Sequence, residues 1–177
     1  MATGWWPVVA IADGQLAEIR LVTLDMSVVN TALRTVGQLK DENFNKIIYV
    51  SDTSATSTVR RGVRLKNGAV MPPGGLTVAS DNPVYIQGDY NTGRTSSTET
   101  PSNTLNGDPL QNTVPGYSKQ SSAVLADAVM VLSNSWNDAA SYNDLSSRVA
   151  SPTTINAAIV SGSGNMPCVS VTKSNTS

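Results

Sequence analysis

Between Gly74 and Thr92 the chain has no room for a long element. It reads Gly-Gly-Leu-Thr-Val-Ala-Ser-Asp-Asn-Pro-Val-Tyr-Ile-Gln-Gly-Asp-Tyr-Asn-Thr. β-branched and aromatic side chains fill two short runs, Leu76–Ala79 and Val84–Gln87, while Gly, Pro, Asn and Asp occupy the breaks. Pro83 pushes Asn82 towards extended backbone, and the glycines and asparagines accept positive φ at little cost. The spacing therefore predicts two strands, a corner at Ser80–Pro83 and a second corner at Gly88–Asn91. Short strands broken this often suggest a chain that winds.

The same habit recurs elsewhere. Val8–Ala12 and Leu16–Leu24 read as strands on either side of an Asp13-Gly14 turn. Ile47–Val50 and Val63–Leu65 are further strands, the second ended by Asn67-Gly68. Ser122–Leu132 fits helix and strand periodicities alike, and apolar residues on both sides of its second half favour a strand buried on two faces. A buried Asp127 would then need donors or an ion. Thr153–Val160 is the last convincing strand, with Ile155, Ala157 and Ile159 on one face. One helix is expected over 27–38, because Val29, Ala32, Leu33 and Val36 form a single stripe behind a cap at Asp25 or Ser27. Covering an open end of the strands is its expected role. The polar segment 92–119 reads as a flexible insertion, with its mobile centre at 95–106.

These elements predict one mainly-β domain over residues 1–177, a right-handed parallel β-helix or related solenoid with a capping helix. The alternative is a β-sandwich. With 12 Lys plus Arg against 13 Asp plus Glu and only 14% charged residues, solubility rests on Ser, Thr, Asn and Gln, a balance common in secreted β proteins. The densest positive cluster, Arg60-Arg61 with Arg64 and Lys66, is interleaved with Gly and Val, which argues against nucleic acid as a partner. No apolar run is long enough for a transmembrane helix, and no cationic signal peptide precedes Trp5-Trp6. That tryptophan pair suggests core and cap packing ahead of a sugar-stacking platform, because neighbours on a strand face opposite sides. Cys168 stands alone, so it is a small terminal side chain or an intermolecular disulfide partner.

The absence of histidine removes Ser-His-Asp and Cys-His nucleophile systems, and the Gly-rich spots lack the lysine and spacing of a phosphate loop. Carboxylate-pair chemistry leaves Asp81, Asp89, Asp127 and Asp138 to inspect, with no spacing that singles out a pair. No cofactor is expected. Calcium is the one ion with candidate ligands, at Asn137, Asp138, Asn143 and Asp144, where hydrogen-bonded turns are the competing explanation.

Three phrases carry a family resemblance. They are Gly75–Ala79 through Asn82–Asn91, Ala126–Val129 with Leu132–Asp138, and Thr153–Ile159 before Ser161-Gly162. Together with Ile48–Val50 and Val63–Gly68 they resemble the β-rich domain of bacterial PilX-like proteins, across roughly residues 8–162. The resemblance implies a non-enzymatic extracellular or cell-envelope protein, pilus-associated or filament-forming, whose partner is itself or another envelope subunit. A carbohydrate-binding or carbohydrate-active module is the alternative. Members of that family usually begin with a membrane-spanning pilin-type helix, absent from this sequence, which suggests a trimmed precursor or another export route. They also usually continue past the Asn-Ala-Ala-Ile phrase. A chain stopping soon after Gly162 leaves an open apolar end, so assembly is expected through Ile155, Ala157 and Ile159 with Val169 and Val171.

Overall fold

In a computed structural model the described residues are 8–12, 15–34, 44–56, 59–101, 112–141 and 143–162. The Trp5-Trp6 pair, the end of the expected helix at 35–38, the centre of the insertion at 102–111, Cys168, Val169 and Val171 lie outside them. The described residues form nine strands in the order β1 (Val8–Ala12), β2 (Gln15–Asp25), β3 (Ile47–Tyr49), β4 (Val59–Lys66), β5 (Leu76–Ala79), β6 (Val84–Gln87), β7 (Ser122–Ala126), β8 (Val129–Leu132) and β9 (Ala158–Ser161). The helix α1 (Met26–Arg34) follows β2 directly. Strands gather into a five-stranded sheet, β1-β2-β4-β6-β8, and a four-stranded sheet, β3-β5-β7-β9. Every pairing is parallel except the β1–β2 hairpin.

The expected fold class is thereby corrected. A sandwich would need antiparallel neighbours, and among the described strands only one such pair exists. A right-handed parallel β-helix or solenoid would repeat one unit with similar connections. Here the first pair is a hairpin, β7 and β8 are separated only by Asp127-Ala128, and residues 88–121 separate β6 from β7. Two parallel sheets with α1 packed on their core form an α/β-type arrangement, not the mainly-β class expected. Residues 122–132, expected as one strand, are two strands in different sheets that bend at Asp127, and Asp127 is exposed, not buried.

Like sits on like between the sheets. Val63 pairs with Val84 and Val84 with Val129, and Leu65–Ile86–Val131 is the next such row. Opposite them runs Ile48–Val78–Val124–Ile159. Val63, Val78, Val84, Ile86 and Val124 have no accessible surface, and Met26 and Val29 of α1 close over the same core. Fully burying each such side chain contributes about 1.5–3 kcal/mol.

The five-stranded sheet is also buried on its outer face. Ile19, Leu21 and Tyr85 cluster there beside Met130 and Leu132. Gly62 makes this possible, since a Cβ at that position would stand 2.9 Å from Leu21 and 3.0 Å from Tyr85. Val84–Gln87 thus has no tolerant side, although its alternation predicts one buried face. The insertion is likewise less free than its composition suggests. Thr92 and Gly93 at its start and Thr113 and Val114 at its end are buried, and the Val114 N–H donates to the Thr92 carbonyl at 2.9 Å.

Burial pushes the hydroxyls of Tyr85 and Tyr90 up to about 12, from the usual 10.0. Both phenols hold their protons more tightly folded than unfolded, so their contribution is complete below pH 10 and is lost as pH rises towards 12. Alkaline titration followed by tyrosinate absorbance and by circular dichroism should show these two ionising together with unfolding. Ionisation near 10 with the fold intact would contradict their burial.

Candidate functional site

The carboxyl ends of β2, β4, β6 and β8 come together at one edge of the five-stranded sheet, the end at which open parallel sheets place ligands. A groove of about 710 Å³ opens there, walled by the first turns of α1, by Lys66 and Asn67 at the end of β4, by Gln87–Asp89 at the end of β6, and by Arg94–Ser97. Asp25 braces the helix side, accepting from the Ser27 N–H at 3.0 Å and from Asn67 Nδ2 at 3.0 Å. Burial opposes its ionisation, but the bonds from Ser27 and Asn67 outweigh that and hold its carboxyl below the usual value. Lys66 makes no ion pair among the described residues.

Asp89, at the floor of this groove, is buried and fully engaged. It accepts from Arg94 Nη1 at 2.9 Å, Asn134 Nδ2 at 2.9 Å and the Thr154 N–H at 2.8 Å. A carboxylate held by three donors joins chain segments and is not a free base. Asp81 accepts from the Ser51 hydroxyl at 3.0 Å, while Asp138 lies on the opposite face of the sheet. No two of the four aspartates share a hydrogen-bond partner in the described structure, so they are not assembled as an acid–base pair.

Next to Asp89, Asn91 is wholly buried with φ +57°. Its Nδ2 donates to the carbonyls of Gln120 (2.7 Å) and Asn156 (2.9 Å), and its Oδ1 accepts from the Tyr117 hydroxyl (2.9 Å) and the Gln120 N–H (3.1 Å). Asn156 answers by donating to the carbonyls of Asn91 and Asn112, each at 3.0 Å. Every hydrogen-bonding position of the Asn91 amide is used, as a buried polar group requires.

On the outer face of the five-stranded sheet, residues 133–141 lay Trp136 and Asp138 over Arg64, which is only 5% exposed. Arg64 Nη1 donates to Asp138 at 2.6 Å and to Gln87 Oε1 at 3.3 Å, its Nε reaches Thr23 Oγ1 at 3.2 Å, and Trp136 Nε1 donates to the other Asp138 oxygen at 2.8 Å. The calcium candidates are therefore not gathered around a common point. Asp138 serves Arg64 and Trp136, while Asn137 caps a 3-10 turn by accepting from the Ala139 N–H. Asn143 and Asp144 are exposed at the start of the next turn. Among the described residues no group of three or more His, Cys, Asp or Glu side chains could hold a metal.

The four-stranded sheet is different, because no described residue covers its outer face. By register with the inward Ile48–Val78–Val124–Ile159 row, the outward positions include Ile47, Tyr49, Ala79, Leu125 and Val160. Tyr49 is 64% exposed and Val160 56%. The expected assembly residues divide. Ile155 and Ala157 pack against the chain's own core, whereas Ile159 sits in the inward row yet is 48% exposed, because β9 is an edge strand.

No protein-family model, no curated protein and no solved structure matches this chain. Sequence reasoning missed Arg64, Asn91 and the groove. The one available signal was Arg64 between Val63 and Leu65, which alternation turns away from the core.

Arg64→Met should cost about 3–5 kcal/mol by leaving the largely buried Asp138 carboxylate with no cation and only the Trp136 N–H to answer it. The double variant Arg64→Met/Asp138→Leu should recover much of that loss in denaturant melts. Strict additivity of the two single changes would contradict the pairing.

Proposed function

We propose that this chain is a non-enzymatic structural subunit that associates with copies of itself through its four-stranded sheet. The observation that carries the reading is the contrast between the two outer faces. One is covered by the chain's own residues 133–141, while the other offers exposed Ile47, Tyr49, Leu125 and Val160 with no charged side chain among its outward strand positions. Both edge strands of that sheet, β3 and β9, share its parallel direction, so β9 of one copy continues the ladder on β3 of the next. Such a head-to-tail contact does not close on itself and propagates as a filament. The PilX-like resemblance supplies the setting, a bacterial envelope or cell surface with pilus association. No helix among the described residues is long and apolar enough to cross a membrane.

A carbohydrate-binding module is the second reading, favoured by the hydroxyl- and amide-rich groove at the strand ends. Among the described residues no aromatic side chain lines that groove to stack on a sugar ring, which places this reading second.

Sedimentation and electron microscopy over a concentration series should show species growing beyond the monomer. Tyr49→Lys/Val160→Lys should remain folded and lose that growth, because both side chains are exposed. A wild-type chain that stays monomeric at high concentration, with Ile159 shielded by its own residues, would overturn the proposal.

A further inference from the structure

A second, smaller cavity lies between the Ser133–Asn137 turn and the Leu145–Ser147 turn, at about 150 Å³. Ser133, Ser135, Asn137, Ser147 and Arg148 supply its polar wall, and among the described residues no acidic side chain lines it. Arg148 Nε is buried and has no hydrogen-bond partner. Nor does Arg148 form an ion pair among the described residues. A guanidinium is always charged, and a buried N–H on it without an acceptor is costly. Native structures leave few such groups unanswered.

We propose that this cavity binds a small oxyanion, a phosphate, sulfate or carboxylate group, on Arg148. The chemistry of the wall favours acceptors over donors as the guest. Asn137 accepts the Ala139 N–H on its Oδ1 at 3.0 Å, which leaves the NH2 group of this lining residue as a donor for a guest. Ser135 Oγ donates to the Val149 carbonyl at 3.1 Å and therefore accepts from Ser133 Oγ at 3.2 Å, so both hydroxyl protons stay within the wall and the donors for a guest are Arg148 and Asn137. Trp136 lends an apolar side and keeps its own N–H on Asp138, out of competition. The volume exceeds a single water's share of about 30 Å³ and holds one small group, not a chain of rings. Arg148 forks suit planar or tetrahedral oxyanions. The anion comes either free from solution or as a carboxylate carried on a neighbouring polypeptide, and these share the same recognition.

Thermal melts at constant ionic strength, with sodium phosphate, sulfate or acetate replacing chloride, test this. Phosphate or sulfate should raise the midpoint saturably, and Arg148→Gln should weaken the apparent affinity at least tenfold. Arg60→Gln, on the five-stranded sheet and away from this cavity, should leave it unchanged. Arg148→Lys, which keeps the charge, should retain part of the response and guards against a variant that merely folds poorly. Saturation by acetate but not by phosphate assigns the site to a carboxylate carried on protein. No saturable response to any of the three anions, or an equal response in Arg148→Gln, overturns the proposal and leaves the cavity to water.

Discussion

The side-chain amide of Asn91 is where the two sheets and the long excursion from β6 to β7 meet. Strand ladders satisfy backbone groups only along the strands, and every corner in a buried region must find other partners. Asn91 supplies them by binding residues 29 and 65 positions away, while its own N–H donates to Gly68 at 2.8 Å. Its neighbour Tyr90 bridges to Ile155 in parallel, so the segment before β9 is held to the same corner. Asp89 repeats the device two residues before Asn91, with Arg94, Asn134 and Thr154. Removing either side chain would leave carbonyls or amides stranded in the interior, at about 1–3 kcal/mol for each.

From this corner the molecule becomes asymmetric. The five-stranded sheet receives residues 133–141 on its outer face, and the Arg64–Asp138 pair fixes them there. Nothing described covers the outer face of the four-stranded sheet, where the exposed residues are apolar. One face thus spends polar groups on internal order, while the other keeps apolar surface at its edge strands. Charged or bulged edges are a common defence against unwanted pairing, and β9 carries neither. That absence is what an assembling subunit would need.

Local structure was largely legible in the sequence. β5 and β6 have the bounds that the Gly, Pro and Asn breaks around them predict, and β1 pairs with β2 as the sequence led one to expect. The fold class was not legible, because strands of three to five residues carry too little pattern to name their partners, and the partners here are distant. Residues 122–132 misled because both halves are apolar. The bend at Asp127 separates them into two sheets and leaves only polarity at one residue as a mark. Site residues were hidden for the same reason. Arg64 and Asp138 are 74 positions apart, and neither residue type alone announces a pair. At Ile155 and Ala157 periodicity placed the side chains on one face but could not say that this face meets the chain's own core.

Native-state hydrogen exchange at the corner amides tests most directly whether the Asn91 cluster holds the sheets together. The N–H groups of Tyr90, Asn91, Val114 and Asn156 donate at 2.8–3.0 Å to Thr154, Gly68, Thr92 and Tyr90. They should exchange only by global unfolding, as slowly as the amides of β4 and β6. Exchange at the rate of exposed residues such as Ser97 would show that the corner opens independently and that the sheets are held by their apolar rows alone.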